Sequence, residues 1–370
     1  MNSIPTPKLK DLCFAYFGQA SLRRWKEDCL KDYSQVAWVR GGAHALALAI
    51  KSLQSQKNAK TVMYLPAYFC GDSLRFLRSM NIKFVFYELN SDFTPNFEFI
   101  RPPEKIDTVS VFLFVHFFGK YLNTHEANNF CQQHGMALIE DCAHLTKPQS
   151  DRHVGDFLVF SPHKHFGTKF GGILLSRHRE FRETQSCTIN KSDLPWYFCK
   201  SLQSNIRALM QSSNTVPAVR LSNIFEQFDL ELLDGFHLKL NQFFLDKADA
   251  TVAIRQSNAQ HLETFFRDVA SCDALTNFVE MDQPYIFGVK FENRQQREFT
   301  QKLLIKNKIP CMLWPDIPFE LLEIEELFSS VQQQVEKSLF LFCHQQLDIG
   351  SYTENLTFAL KDGKAFGMDT

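Results

Sequence analysis

Short apolar runs alternate with helical patterns through the first half of this 370-residue chain, and this alternation constrains the fold more than any other feature. The longest run begins at Val109 and stays mainly apolar to Phe118. A run without polar alternation is typical of a strand that is buried on both faces of a sheet. Such strands, separated by helices, predict a mainly parallel α/β sheet that helices cover.

Seven strands and several helices follow from this pattern. The predicted strands are Val36–Val39, Thr61–Leu65, Lys83–Glu88, Val109–His116, Met136–Glu140, Asp156–Phe160 and Gly172–Ser176. Helices are predicted after the Gly41-Gly42 pair, over Gly71–Met80 and over Thr124–His134. In sheets of this kind, ligands bind outside the carboxyl ends of the strands, so the residues after each strand are the first candidates for a site.

The second half of the chain has a different pattern. Strand signals stop between 177 and 217, a helix is predicted over 196–211, and 221–266 is expected to be mainly helical. The remaining predicted elements are a strand at Tyr285–Phe291, a helix at Gln295–Asn307 and an apolar turn at Cys311–Pro315. We therefore expect a large domain over 1–235 and a smaller α+β domain over 236–370.

Composition excludes several classes of partner. Lys+Arg number 40 and Asp+Glu 41, so the chain has no net positive charge that would attract nucleic acid or an anionic membrane. The ten cysteines form no CxxC pair, so reduced thiols in a cytoplasmic protein are expected, without a zinc site or a disulfide framework. The N-terminal segment MNSIPTPKLKDL lacks the apolar stretch of a signal peptide. The 37 phenylalanines predict a generous core or a buried subunit interface.

Three strand ends carry residues that suit chemistry. Gly41-Gly42 opens a helix, where backbone N–H groups can close on an anion, although most such pairs are only turns. Asp141 follows a buried strand and needs a cationic or hydrogen-bonding partner, or it serves as a helix N-cap. Lys164 follows another buried strand, which suits amine chemistry, or it is a surface lysine of a loop.

Two other interpretations of the lysine segment are weaker. His163-Lys164-His165 could be part of a metal site, but no carboxylate or third histidine is spaced to complete it. Ser161 and Lys164 also match the S-x-x-K motif of penicillin-binding proteins, which needs K-T-G and S-D-N partners that do not occur in the chain.

Taken in order, these motifs resemble the DegT/DnrJ/EryC/StrS family of sugar aminotransferases, which have the fold type I of pyridoxal-phosphate (PLP) enzymes. The resemblance is strong over roughly residues 36–176. It rests on five segments, namely Gly41–Ile50, Leu65–Cys70, Val115–Gly119, Ile139–His144 and Phe160–Lys164 with Gly171-Gly172 seven residues after the lysine.

The resemblance implies a role for each of these positions. Lys164 would bind PLP covalently, and Asp141 would face the ring nitrogen. Ser161 and the backbone of Gly42, Ala43 and His44 would bind the phosphate. His144 would lie near the ring hydroxyl, and either Tyr68 or Phe69 would stack on the ring. The first domain would then be the PLP-binding domain.

The chain departs from the family at two places. The family's Asn two residues before an Arg has no counterpart, because Ala218 stands two residues before Arg220. Phe170 stands where the family usually has Glu before Gly-Gly. Both departures concern contacts with the cofactor phosphate or the sugar.

The resemblance implies an aminotransferase that moves an amino group, usually from glutamate, to a nucleotide-linked keto sugar. The product would serve polysaccharide or glycoconjugate biosynthesis, and the enzyme would be a homodimer. Two alternatives stay open. One is a sugar dehydratase of the same fold, in which a histidine replaces the lysine, since His163 and His165 flank Lys164. The other is a non-catalytic protein that binds PLP or a nucleotide sugar.

Overall fold

The structure is a computed structural model that describes residues 5–8, 10–13, 32–55, 60–103, 108–178, 197, 220–270 and 281–361. Its described strands are β1 (Gln35–Val39), β2 (Lys60–Pro66), β3 (Ile82–Tyr87), β4 (Thr108–Val115), β5 (Ala137–Cys142), β6 (Phe157–Phe160), β7 (Gly172–Ser176), β8 (Leu221–Ser222), β9 (Phe287–Lys290), β10 (Cys311–Met312), β11 (Ile317–Pro318) and β12 (Ser338–Leu341). Its described α-helices are α1 (Gly42–Ser55), α2 (His125–His134), α3 (Pro162–Phe166), α4 (Gly235–Leu245), α5 (Ala248–Ala270), α6 (Arg294–Lys306), α7 (Glu325–Lys337) and α8 (Ile349–Lys361).

A seven-stranded sheet forms the centre of the larger half. Its strand order is β1-β7-β6-β5-β4-β2-β3, and β7 alone runs antiparallel to its neighbours. The middle strands β4, β5 and β6 are almost wholly buried, as their continuous apolar runs predict. The predicted α/β class with a mainly parallel sheet is confirmed, and all seven strands lie within about two residues of their expected bounds.

The helix predicted over Gly71–Met80 is wrong in type. Two short 3₁₀ turns stand there instead, over Gly71–Leu74 and Leu77–Met80. A tertiary contact favours these turns over a continuous α-helix, because the N–H of Gly71 donates to the carbonyl of Asp316 at 2.7 Å. The second turn ends at Asn81, whose φ of 53° is left-handed.

The expectation of a mainly helical stretch over 221–266 is only partly right. β8 pairs in parallel with β11, and residues 221–234 contain no helix. The N–H of Arg40 donates to Glu231 O, and the N–H of Leu233 donates to Trp38 O, both at 2.9 Å. These bonds to the end of β1 hold an extended backbone. α4 and α5 follow as predicted, whereas the helix expected over 196–211 lies, apart from Tyr197, outside the described residues.

A three-stranded antiparallel sheet, in the order β10-β12-β9, forms the centre of the C-terminal part. It packs with α5, α6 and α8 around a separate apolar cluster that includes Phe266, Leu339 and Leu356. The strand at β9 and the helix at α6 were expected, whereas α7, β12 and α8 were not. The domain boundary at 235/236 stays a prediction. No helix in the described ranges is both long and apolar enough to cross a lipid bilayer.

Candidate active site

A cavity of about 300 Å³ opens at the carboxyl ends of β1, β5 and β6. Three segments that are distant in sequence meet there, because parallel strands end at the same edge of the sheet. The cavity-lining residues include most of the predicted site, namely Gly42, Ala43, His44, Asp141, Ser161 and Lys164. We call this space the cofactor cavity.

The first turn of α1 and the hydroxyl of Ser161 form one wall of the cofactor cavity. A Cβ on Gly42 would lie 2.2 Å from Ser161 Oγ, so only glycine permits this close approach. Ser161 is 1% exposed, and its Oγ has no hydrogen-bond partner among the described residues. A buried hydroxyl without a partner, beside the free N–H groups of a helix N-terminus, suits an anion such as the phosphate of PLP.

The side chain of His44 lies at the same helix N-terminus. Its Nδ1 atom is also buried without a partner in the described structure. Burial, together with the charges of Arg75 and Arg40, lowers the pKa of His44 to about 4, so the ring is neutral at pH 7. The neutral ring can donate or accept one hydrogen bond at Nδ1, depending on its tautomer.

Lys164 and Asp141 line the cofactor cavity together. Lys164 lies on α3, a five-residue helix that ends at Gly167 with a left-handed φ of 66°. Asp141 is the second-last residue of β5 and is 9% exposed. Burial raises the pKa of Asp141, and the nearby charge of Lys164 opposes this shift. Asp141 Oδ1 also accepts the N–H of Ala143 at 2.8 Å, so the side chain fixes the turn after β5 in addition to facing the cavity.

The other three predicted residues lie outside the lining of the cofactor cavity. Tyr68 and Phe69 are 2% and 3% exposed, and Tyr68 donates its hydroxyl hydrogen to Trp314 O at 3.0 Å. His144 lies flat against Tyr285, with ring centroids 4.6 Å apart and an interplanar angle of 7°. Its Nδ1 accepts the N–H of Phe118 at 3.3 Å, which places the ring proton on Nε2. Burial, followed by the charge of Lys164, lowers the pKa of His144 well below its ordinary value.

Sequence reasoning missed several charged residues at this cavity. Arg40 forms an ion pair with Glu231 and lies 4.0 Å above the ring of Phe170. Arg75 pairs with Asp72 at 2.9 Å, and all of these except Glu231 line the cavity. Arg40 stands directly before the Gly-Gly pair, which could have drawn attention to it. Arg75 and Asp72 follow no motif.

The two histidines beside Lys164 point to different partners. His163 also lines the cofactor cavity, but its Nδ1 lies 2.6 Å from Gly171 O. His165 is fully buried, and its Nδ1 lies 3.2 Å from the hydroxyl of Thr146. Their imidazoles therefore do not converge on one point, as a shared metal ion would require.

A second polar cluster lies buried near Asp141. Glu140 is fully buried, and its Oε2 lies 2.9 Å from His116 Nε2 and 2.6 Å from His153 Nδ1. Burial alone would raise the pKa of Glu140, but the interactions with both histidines outweigh it and hold the pKa well below its usual range. Burial lowers the pKa of His153 in spite of this partner.

This cluster, with Cys142, has the residue types of a metal site. The hydrogen bonds indicate another role. His116 Nδ1 accepts the N–H of Leu122 at 3.1 Å, so the ring proton lies on Nε2, and that nitrogen donates to Glu140. A protonated nitrogen has no lone pair for a metal ion. The cluster is therefore best described as a carboxylate that holds two neutral imidazoles in place.

Comparison with known proteins tests the resemblance directly. Residues 28–196 match the model of the DegT/DnrJ/EryC1/StrS aminotransferase family. This part of the chain is similar in sequence to that family. The predicted enzyme class, an aminotransferase that uses PLP, is confirmed at the level of the family. No curated protein sequence matches the chain.

Solved structures match almost the whole chain at low sequence identity. The aminotransferase TlmJ from Streptoalloteichus hindustanus is 15% identical, with a TM-score of 0.65, over 98% of this chain and 99% of its own. The PLP form of the putative sugar aminotransferase Spr1654 from Streptococcus pneumoniae is 14% identical, with a TM-score of 0.67, over 98% of each chain. The GDP-4-keto-6-deoxy-D-mannose-3-dehydratase of E. coli, with hydrated PLP bound, is 15% identical, with a TM-score of 0.63, over 96% of this chain and 100% of its own. These matches establish the fold.

Proposed function

We propose that this protein is a PLP-dependent aminotransferase that moves an amino group from glutamate to a nucleotide-linked keto sugar, for polysaccharide or glycoconjugate biosynthesis. One observation carries the proposal. Lys164, the buried carboxyl of Asp141 and the unpartnered hydroxyl of Ser161 meet in one cavity at the first turn of α1. The residues present fit PLP, because its aldehyde, its ring nitrogen and its phosphate each have a complementary group in this cavity.

Each side chain has a task that follows from its chemistry. PLP, when bound, supplies an electron sink for the carbon that loses or gains the amino group. Lys164 would hold the cofactor covalently and then carry a proton at Nζ. Asp141, as a carboxylate, would keep the ring nitrogen protonated. Ser161 Oγ and the N–H groups of Gly42, Ala43 and His44 would bind the phosphate.

Two of the similar structures support a sugar as the acceptor. Spr1654 is described as a putative sugar aminotransferase, and the E. coli dehydratase is named for a nucleotide-linked keto sugar. The dehydratase reaction is the second candidate here, because His163 lines the cofactor cavity beside Lys164. The bond between His163 and Gly171 O favours Lys164 as the residue that meets the cofactor. A non-catalytic protein that binds PLP or a nucleotide sugar is the third candidate.

The test is an incubation of the purified protein with PLP, glutamate and a panel of keto nucleotide sugars, followed by mass spectrometry. We expect one sugar to gain an amino group while 2-oxoglutarate accumulates. A sugar that loses a hydroxyl group and gains no nitrogen would replace the proposal with the dehydratase. Bound PLP that absorbs visible light, with no change on adding glutamate or any sugar, would support the non-catalytic alternative.

Asp141→Asn separates the catalytic role of Asp141 from its structural one. Asparagine can still accept the N–H of Ala143, so the fold and the binding of PLP should survive. It cannot hold a proton on the ring nitrogen, so turnover should fall by about two orders of magnitude or more. The measurement is kcat beside the melting temperature of the holoenzyme. Turnover within a few-fold of wild type would leave Asp141 with the structural role alone.

We also propose a cytoplasmic homodimer. Two exposed apolar side chains support a subunit interface, Ile224 at 45% and Phe225 at 59%. They lie on the extended segment that packs against the 3₁₀ turns at 71–80, through the bond from Glu226 N–H to Arg75 O at 3.0 Å. Arg75 lines the cofactor cavity, so a partner on this surface would come close to the site.

A further inference from the structure

A second cavity of about 230 Å³ lies next to the cofactor cavity. The two spaces share His163 and Lys164 as lining residues. The walls of the second cavity are mostly apolar and include Tyr285, Ile286 and Phe342. Arg255 also lines it, and this arginine is the unusual feature of the cavity.

Arg255 lies on α5 and is only 1% exposed. Its Nε donates to Gln345 Oε1 at 2.9 Å, and its Nη1 donates to the carbonyls of Pro284 and Tyr285 at 3.2 and 3.0 Å. Its Nη2 donates to the carbonyl of His165 at 3.0 Å. These bonds use four of the five guanidinium N–H groups and fix the plane of the guanidinium.

No carboxylate pairs with Arg255 in the part of the chain that the structure describes. Burial lowers the pKa of Arg255, and the groups that act against this shift are Cys343 and Tyr285, neither of which is a carboxylate. A buried guanidinium without a counter-charge is costly, and buried charges in proteins are normally paired. A cavity beside such a group is a place where an anionic ligand is stabilised.

We propose that the second cavity binds a carboxylate of the amino donor, with Arg255 as the residue that recognises it. The remaining N–H of Nη2 would donate to the carboxylate, and the apolar walls would contact the methylene groups of the donor. The two cavities meet at Lys164, so a donor held in this way has its amino group near the cofactor. This inference rests on the proposed function, since it assigns a site to one of that reaction's two substrates.

An amino donor fits the cavity better than a carboxylate on the acceptor. The space is small and largely apolar, whereas a nucleotide-linked sugar would need room and polar partners for its phosphates. A carboxylate-bearing acceptor would use the same chemistry, so the experiment distinguishes the two by competition.

The first measurement uses wild-type holoenzyme and needs no mutation. Glutarate and glutaramide have the same carbon skeleton, but only glutarate is charged, and neither carries an amine that can react. Isothermal calorimetry should show that glutarate binds at least about tenfold more tightly than glutaramide, because hydrogen bonds to charged groups are the stronger ones. Glutarate should compete with glutamate and not with the keto sugar. Equal affinities, no binding of glutarate, or competition with the sugar alone would each overturn the proposal.

Arg255→Lys tests the residue, and Arg297→Lys is its matched control. Arg297 is also buried, at 2% exposed, but it lies on α6 and bonds to Glu336 O and Gln301 Oε1. Arg255→Lys should weaken glutarate binding by about tenfold or more, because lysine cannot keep the same acceptors and still reach the ligand. Arg297→Lys should leave it unchanged. PLP should bind both variants with wild-type affinity, and an equal loss of glutarate binding in both variants would reduce Arg255 to a structural role.

The results also separate this inference from the proposed function. Tight, charge-dependent glutarate binding with no amination of any sugar would leave the carboxylate subsite standing and count against the acceptor. Amination of a sugar with no difference between glutarate and glutaramide would support the function and remove the subsite.

Discussion

Lys164→Ala is expected to abolish transamination and the covalent attachment of PLP. Lys164 is a lysine of the cofactor cavity that stands three residues after Ser161, so one short helix can hold both ends of the cofactor. Borohydride reduction of the wild-type holoenzyme, followed by peptide mapping, should place a pyridoxyl adduct on Lys164. The same treatment of the variant should give no adduct, and product formation should fall to background.

Lys169→Ala is the matched control, because Lys169 also lines the cofactor cavity. The Nζ of Lys169 lies over the ring of Phe170, 4.8 Å from its centroid. The backbone N–H of Lys169 donates to Tyr197 Oη at 2.9 Å. We expect this variant to keep the adduct and most of its activity. An adduct on Lys169, or full activity in Lys164→Ala, would show that the alignment of the lysine segment is wrong.

Glu140→Ala is expected to lower the free energy of unfolding by about 3–5 kcal/mol, because each donor that loses its acceptor in a buried place costs about 1–3 kcal/mol. Glu140 Oε1 accepts the N–H groups of Val154 and Gly155 at 2.8 and 2.6 Å, and Oε2 accepts from two imidazoles. Alanine leaves all four donors without this acceptor, and three of the four bonds are fully buried. The measurement is the midpoint and slope of urea unfolding, with tryptophan fluorescence as the signal.

Glu298→Ala provides the comparison for Glu140→Ala. Glu298 pairs with Arg294 four residues away on α6, where the arginine side chain is 55% exposed. Surface pairs of this kind contribute only about 0.5 kcal/mol. If the two variants were equally stable, the cluster around Glu140 would contribute no more to stability than a surface ion pair. Since the pKa of Glu140 is lowered in the folded state, its contribution should be present at neutral pH and be lost as the pH falls below about 4.3, the ordinary glutamate value.

The sequence predicted the central sheet well, because a strand buried on both faces leaves an apolar run that few other structures leave. It also identified Gly42, Asp141, Ser161 and Lys164 as neighbours in space, because the ends of parallel strands share one edge. The first inference uses only local pattern, whereas the second also depends on the family resemblance, which assigned these residues to one cofactor.

The rest of the site depends on contacts between distant parts of the chain. The 3₁₀ turns at 71–80 replace a helix because Gly71 bonds to Asp316, more than 200 residues away. Arg255 carries no sequence signal, since an arginine on a mainly polar helix is normally solvated. The backbone carbonyls of residues 165, 284 and 285 accept hydrogen bonds from its guanidinium, which allows the side chain to be buried. The periodicity of the sequence does not indicate such contacts between distant segments.

The hydrogen bonds to the carbonyl of His165 have a consequence for the order in which the parts of the chain fold during synthesis. All seven strands of the large sheet are complete once residue 176 has left the ribosome. The carbonyl next to Lys164, however, accepts hydrogen bonds from Arg255 Nη2 and Gln345 Nε2, both at 3.0 Å. The helix that carries Lys164 can therefore gain these two hydrogen bonds only after residues 255 and 345 have been synthesised. We therefore expect tight binding of PLP only from a polypeptide that extends beyond Gln345, and weaker binding from a fragment that ends soon after residue 176.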